Sequence, residues 1–230
     1  MAPPRFPNPI FVAIDTPDLG RALALARAVK PHVGGLKVGL EFLTAQGPDG
    51  VRAIAELGLP VFADTKFHDI PNTVAGAARE IAKLGIAIFN IHASGGEAML
   101  CAARQAAPDV KLIAVTVLTS LDEKDLDAVG QKGPAADQVV RLASLAQRSG
   151  LDGVVCSAWE IAPLRQALGP DFLLVVPGIR PAGSDLADQR RVMTPRDAAR
   201  AGADILVIGR PISAAADPAE AARAIAASLE

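Results

Sequence analysis

Eight short apolar runs, separated by segments with helical spacing, constrain this chain more than any other feature of its sequence. The runs are PIFVAID (9–15), GGLKVG (34–39), PVFADTK (60–66), IAIFNIHA (86–93), KLIAVTVL (111–118), LDGVVCS (151–157), FLLVVPG (172–178) and ADILVIGR (203–210). Most are rich in Val, Ile or Phe and apolar on both faces, the pattern of strands covered by helices on two sides. Between them, Asp18 is placed to cap a helix through RALALARAV, and Thr73 to open one through VAGAAREIAKLG that closes on Gly85. Segment 135–149 sets Val139, Val140, Leu142, Leu145 and Ala146 at helical spacing before Gly150. The segment DPAEAARAIAASLE opens with a cap, a proline and an acid. The link between the last two runs is longer, with PAGSDLADQRR before a short helix at PRDAARAG.

Alternating strands and helices call for a parallel sheet, and eight such units of one composition class call for a closed barrel. The expected fold is therefore α/β, a single-domain (β/α)8 TIM barrel spanning residues 1–230. An open doubly wound sheet is the alternative. Against it, no Gly-x-Gly-x-x-Gly follows the first run and no Gly-x-x-x-x-Gly-Lys-Ser/Thr occurs anywhere. With half of its residues apolar, the chain can bury one large core, and no linker or low-complexity stretch divides it.

The formal net charge of -2, with no Lys/Arg-rich run, argues against a nucleic-acid partner. A local basic cluster could still bind a small anion. Cys101 and Cys156 lie far apart in apolar sequence, so no disulfide scaffold is expected and a reducing compartment fits. MAPPRFPNP has no apolar signal core, and no run approaches the ~18 apolar residues of a membrane span. The expectation is a soluble, cytoplasmic protein with no membrane partner.

In a barrel of this kind, chemistry gathers where strands end and the following loops begin. The runs end in Asp15, Lys37, Asp64 with Lys66, Asn90 with His92 and Ser94, Thr116 with Thr119, Ser157, Pro177 to Arg180, and Gly209-Arg210. Asp64 and Lys66 are two apart on an extended chain, so both side chains face the barrel mouth beside Asp15 and Lys37. A purely structural ion-pair network is the bland explanation. It is weakened because buried ion pairs contribute little to stability once desolvation is counted. Arg180 and Gly209-Arg210 lie after strands seven and eight, where such barrels bind phosphate. Gly209 lets backbone N–H groups approach a ligand, and an arginine can hold phosphate oxygens bidentately. The stretch PAGSDLADQ (181–189) has no apolar periodicity and could serve as a lid. The residues alone thus describe a barrel enzyme, or a binder, for a phosphorylated small molecule.

The stretch DTKFHDIPNT (64–73) closely resembles the Asp-x-Lys-x-x-Asp-Ile-Pro-Asn-Thr signature of bacterial orotidine 5'-phosphate decarboxylases. VAIDTPD, GLKVGLEF, FNIHASGG, VTVLTS, VPGIRP, DQRRVMTP and VIGRPI extend the resemblance over nearly the whole chain. Asp-x-Lys-x-x-Asp alone is shared with sugar-phosphate decarboxylases of the same superfamily; Ile-Pro-Asn-Thr and the Arg180/Gln189 spacing are the specific part. The resemblance implies decarboxylation of orotidine 5'-monophosphate without cofactor or metal. It makes Lys66 the proton donor to C6, sets Asp64 beside the departing carboxylate, has Lys37 bridge Asp64 and the ribose, and has Asp15 hold the ribose. Asp69 completes the catalytic array. It and the Ile70, Pro71, Asn72 and Thr73 that follow reach a neighbouring subunit's site, which implies a homodimer with shared active sites. Thr119 and Pro177 would line the pyrimidine, Arg180, Gly209 and Arg210 would hold the phosphate, and Gln189 is the lid residue spanning phosphate and base.

Loss of CO2 at C6 leaves electrons in an sp2 orbital that the ring π system cannot delocalise. Without an electron sink, the protein must stabilise that charge electrostatically. A lysine kept charged by adjacent acids does so and then delivers its proton. A Mg2+-dependent sugar-phosphate decarboxylase is the nearest rival, and would need further carboxylates near Lys66; Glu41 is the one obvious candidate and is expected on the following helix. An epimerase would want several His and Asp ligands. The three histidines are His32, His68 and His92, and the last two are expected to support the loop and mouth. A catalytically silent nucleotide-binding barrel would be expected to have lost Lys66 or one of its acids, and all are present. Trp159 is expected in the core or an interface, and Cys156 as a buried small hydrophobe.

Overall fold

Each apolar run becomes a strand, most of them shortened where end residues turn into loops. The computed structural model describes residues 6–181 and 193–229. Within them the strands are β1 (Ile10–Ile14), β2 (Gly35–Val38), β3 (Val61–Phe67), β4 (Ile88–His92), β5 (Lys111–Val115), β6 (Gly153–Val155), β7 (Leu173–Val176) and β8 (Ile205–Ile208). They form a closed parallel barrel in chain order, β8 closing against β1 through Ile10↔Leu206 and Val12↔Ile208. The open-sheet alternative is thereby excluded.

Alternation along the strands divides the core in two. Phe11, Ala13, Phe62, Ile88 and Ile113 meet inside the barrel. Ile10, Val12, Ile14 and their counterparts face outward onto the helices. Gly35 pairs with Phe11 in the β1–β2 register, and a Cβ there would lie 2.4 Å from the Phe11 ring. The glycine makes room for an aromatic whose complete burial stabilises the barrel by about 1.5–3 kcal/mol.

The end of the barrel away from the mouth is fastened twice by one device. Asp152, just before β6, accepts the Leu112 N–H at 2.8 Å and pairs with Arg104 at 2.7 Å. Asp204, just before β8, accepts the Leu174 N–H at 2.7 Å and pairs with Arg165. These charges serve the fold, in keeping with their position at the stability face of a barrel.

Asp18 caps the helix Leu19–Val29, and Asp217 the helix Pro218–Ala227, each through a side-chain bond to a first-turn N–H. The helix Ala135–Arg148 follows the expected segment and ends before Gly150, whose φ is +79°. One start differs from expectation. The helix after β3 spans Pro71–Ala82 with Ile70 at its cap, so Thr73 lies inside the first turn. The pre-set φ of Pro71 suits the first helical position, and the steric demand of its ring keeps Ile70 extended. Gly85, at φ +75°, lies just beyond that helix as expected. Trp159 lies in the 3-10 turn Ala158–Glu160 and is 65% exposed, which removes it from the core. An additional helix, Glu123–Ala128, follows β5 and is held by an Asp122/Asp125 capping box that the sequence reading did not pick out. Among the described residues, no helix is long and apolar enough to cross a membrane.

Candidate active site

At the end of β3 the parallel ladder is interrupted. Ala63 pairs with Phe89 and Phe67 with Ile91, so four steps on β3 oppose two on β4. Asp64, Thr65 and Lys66 occupy the excess length. Lys66 adopts φ +51°, the one positive value at a non-glycine residue among those described. That conformation costs a side-chain-bearing residue about 1–2 kcal/mol. Here it is held by Asn90, whose side-chain Oδ1 accepts the Lys66 N–H at 2.7 Å. The main-chain carbonyl of Asn90 accepts the Thr65 hydroxyl at 2.6 Å. Alternation survives the bulge. Thr65 faces outward among Leu40, Phe67, Ile81 and Leu84, while Asp64 and Lys66 face the mouth.

There the expected charges meet. Lys66 Nζ lies 2.6 Å from Asp64 Oδ1, and Lys37 Nζ lies 3.6 Å from Asp64 Oδ2 and 3.1 Å from Asp15 Oδ1. The order is Asp15–Lys37–Asp64–Lys66, drawn from three adjacent strands. Burial by itself would raise the pKa of Asp64; Lys37, Lys66 and the Lys66 and Asn90 hydrogen bonds outweigh it and hold the carboxyl below its usual range. Asp64 therefore stays ionised at neutral pH. Gly39 belongs to the same arrangement, since a Cβ there would come within 2.9 Å of Lys37 Nζ.

The array lies at the junction of two lobes of one cavity, ≈ 200 and ≈ 250 Å3 in volume, which share Lys37, Asp64, Pro177 and Val207. Together they reach the range of about 300–1,000 Å3 that suits a small molecule. The first lobe is mainly apolar, lined by Val115, Val117, Leu118, Val155 and Pro177, with Thr119 as a polar edge. The second is polar, with Asp15, Gly178, Arg180, Gly209 and Arg210. A Cβ on Gly209 would make only ordinary contacts, 3.6 Å to Ala13 and 3.7 Å to Asp15. No neighbouring protein group requires a glycine there, and the space it leaves belongs to the cavity. Arg180 is buried and its N–H donates to the Met193 carbonyl at 3.1 Å, while Arg210 is exposed at the start of a four-residue helix. A cationic lobe and an apolar lobe that meet at Lys37 and Asp64 can hold an anion at one end and a planar ring at the other, with Lys66 as a proton donor on the ring side.

Other predicted residues lie apart from this centre. Asp69, Ile70, Pro71, Asn72 and Thr73 are exposed beyond β3, Ile70 to 67%. The Asp69 carboxylate accepts the Ile70 N–H at 2.6 Å and makes no ion pair with Lys66 of its own chain. Gln189 lies outside the described residues. His68 and His92 stack at 5.6 Å between ring centroids; burial, then the neighbouring His68 and Lys66 charges, keep His92 below its ordinary pKa. Thr116 is spent on the Val155 carbonyl. Cys156 is fully buried, and that burial pushes its thiol pKa far up, so it is an inert apolar group. Glu41 is exposed on the helix Leu40–Ala55. Among the described residues, no three His, Cys, Asp or Glu side chains gather as a metal site would require. Asn90, which the sequence places among the polar residues at the strand ends without giving it a role, is the side chain that holds both Asp64 and the Lys66 N–H.

The family model described as Orotidine 5'-phosphate decarboxylase / HUMPS family matches residues 8–225. Among curated relatives, the orotidine 5'-phosphate decarboxylase of Paramagnetospirillum magneticum is 56% identical, covering 96% of this chain and 98% of that protein. That of Anaeromyxobacter sp. (strain K) is 58% identical, covering 96% and 97%. Among solved structures, the orotidine 5'-phosphate decarboxylase of Lactobacillus acidophilus superposes with a TM-score of 0.86 at 37% identity, covering 97% of this chain and 99% of that one.

Proposed function

The chain belongs to the Orotidine 5'-phosphate decarboxylase / HUMPS family, and from that premise we propose that it converts orotidine 5'-monophosphate to uridine 5'-monophosphate and CO2 in de novo pyrimidine synthesis. One observation carries the proposal: Lys66, in the apolar lobe, is ion-paired with Asp64, which lines both that lobe and the cationic one. The pyrimidine occupies the apolar lobe against Thr119 and Pro177. The phosphate meets Arg180, Gly209 and Arg210, and the ribose lies between them at Asp15 and Lys37. By the family resemblance, Gln189, which lies outside the described residues, would span phosphate and base.

In the reaction, the C6–carboxylate bond breaks, its electron pair stays on C6, and a Lys66 ammonium proton passes to that carbon. The amine then regains a proton from solvent. Asp64 stays paired with Lys66 until transfer and opposes the substrate carboxylate beforehand. Such repulsion amounts to about 1–4 kcal/mol at 4 Å for effective dielectrics of 80 to 20. Rate enhancements require roughly 8–23 kcal/mol, so preorganised stabilisation of the carbanion must supply the larger part. In this reading the reaction needs no cofactor, because the Lys66 ammonium stabilises the C6 charge electrostatically and then protonates it.

The enzyme is further proposed to be a cytoplasmic homodimer in which Asp69 of each protomer completes its partner's array. The exposure of Asp69 and Ile70, and the lack of an ion pair between Asp69 and Lys66 of the same chain, support this. The test is ultraviolet absorbance of orotidine 5'-monophosphate mixed with protein in EDTA, with Lys66→Ala in parallel. Wild type is expected to remove the absorbance and the variant to leave it unchanged while still binding uridine 5'-monophosphate. Inactive wild type that gains activity only toward a keto-acid sugar phosphate with Mg2+ would overturn the assignment.

A further inference from the structure

We propose that Asn90 is a positioning residue for the decarboxylation, fixing both the backbone of Lys66 and the carboxylate with which its ammonium is paired. The inference rests on the function proposed above. It is carried by a closed ring of hydrogen bonds. Asn90 Oδ1 accepts the Lys66 main-chain N–H at 2.7 Å. Asn90 Nδ2 donates to Asp64 Oδ1 at 2.7 Å. The same Asp64 oxygen receives Lys66 Nζ at 2.6 Å. One amide thus grips the lysine at its backbone and, through Asp64, at its tip.

The chemistry of the ring leaves little choice of residue. An N–H needs an acceptor and a carboxylate needs a donor, and among short uncharged side chains only an amide offers both from one planar group. The surroundings also prevent Asn90 from turning away. It is completely buried, faces Ile113 across the β4–β5 ladder, and has its main-chain carbonyl held by Thr65. The interrupted β3–β4 ladder supplies the need for such a group. With two excess residues on β3, Lys66 falls where the register is broken, and at φ +51° its N–H is directed to the amide. Without Asn90, nothing described here would hold that conformation against its steric cost.

A lysine that must deliver a proton along one line is sensitive to displacement, since misplacement by about 1 Å can cost 100-fold in rate. A residue that merely stabilised the barrel would, when removed, reduce the amount of folded enzyme and leave each remaining molecule at full activity. A positioning residue lowers kcat per folded site and spares nucleotide binding, because the phosphate and ribose contacts lie in the other lobe.

The experiment compares Asn90→Ala and the isosteric Asn90→Asp with wild type, measuring kcat, KM and the affinity for uridine 5'-monophosphate, over a pH series. The charged and titratable groups around position 90 are Asp64 and Lys66 on β3, Lys37 on β2, and the stacked His68 and His92; β5 contributes only Ile113 opposite. The expected result is a kcat lowered about 10- to 100-fold in Asn90→Ala, with nucleotide affinity within a few-fold of wild type. Its acid limb should also move to higher pH, because Asp64 loses one of the donors that keep it ionised. Asn90→Asp keeps the acceptor for the Lys66 N–H and replaces the donor to Asp64 with a second acid. A lowered kcat there too assigns the effect to the Asp64 contact, and this near-isosteric variant remains informative if the alanine variant does not fold. A kcat within twofold of wild type in a folded variant, or an unshifted acid limb with kcat and affinity falling together, would overturn the inference. Wild type inactive on orotidine 5'-monophosphate would remove the proposed function itself, and this inference with it.

Discussion

At Lys66 one residue meets three demands: a charged amine, an acid to keep it charged, and a backbone turn that aims it. The first two were legible in DTK as residue types. The third was not, because a positive φ at lysine has no local sequence signal; it exists only where Asn90 comes across from β4 to take the N–H. Arg210 shows the opposite balance. Its place after the last strand followed from the order of elements, and it lines the polar lobe. Arg210→Ala is expected to weaken uridine 5'-monophosphate binding by about 10- to 100-fold, the loss of one or two charge-assisted hydrogen bonds. Uridine binding should change little. Calorimetric titration of both ligands checks this, and equal losses would place the arginine away from the phosphate.

At the scale of elements, strand interiors are set by alternation and strand ends by what the neighbouring strand offers. The sequence placed Asp64 and Lys66 on one face by counting two residues along an extended chain. The structure arrives at the same face through a bulge, since Thr65 still turns outward to the Asn90 carbonyl. The two aspartates before β6 and β8 were invisible as a pattern, because their arginine partners lie 48 and 39 residues away. Each joins a strand end to a helix, and each is largely removed from solvent. Asp204→Ala leaves Arg165 without its acid and the Leu174 N–H without its acceptor. The expected loss is about 3 kcal/mol, read as a lower urea midpoint at unchanged slope, with kcat per folded molecule unaffected at this distance from the mouth.

For the whole molecule, the proposed dimer determines whether the site is complete. Within one chain the array runs Asp15–Lys37–Asp64–Lys66 and stops, while Asp69 faces outward. If each site draws Lys66 from one protomer and Asp69 from its partner, two inactive variants should rescue each other. Lys66→Ala mixed with Asp69→Ala, unfolded together and refolded, should regain about a quarter of wild-type activity, because half of the dimers are mixed and each holds one intact site. Sites confined to single protomers would show no recovery.

The sequence by itself determined the eight strands, their burial on both faces, the caps at Asp18 and Asp217, and the polar residues carried to the mouth. These follow from periodicity and local chemistry, which act over a few residues and so leave a mark in the order of amino acids. It also misplaced a helix start at Thr73, where Pro71 governs, brought Asn90 to a strand end without a role, and left the Glu123–Ala128 helix unmarked. What only the tertiary structure decided is how side chains from different strands meet: the order of the four charges, the shared oxygen of Asp64, the left-handed turn at Lys66 and the two joined lobes. Those depend on barrel register and closure, which bring together residues some 25 positions apart in the chain. Neither element alone carries a record of the distance at which they meet.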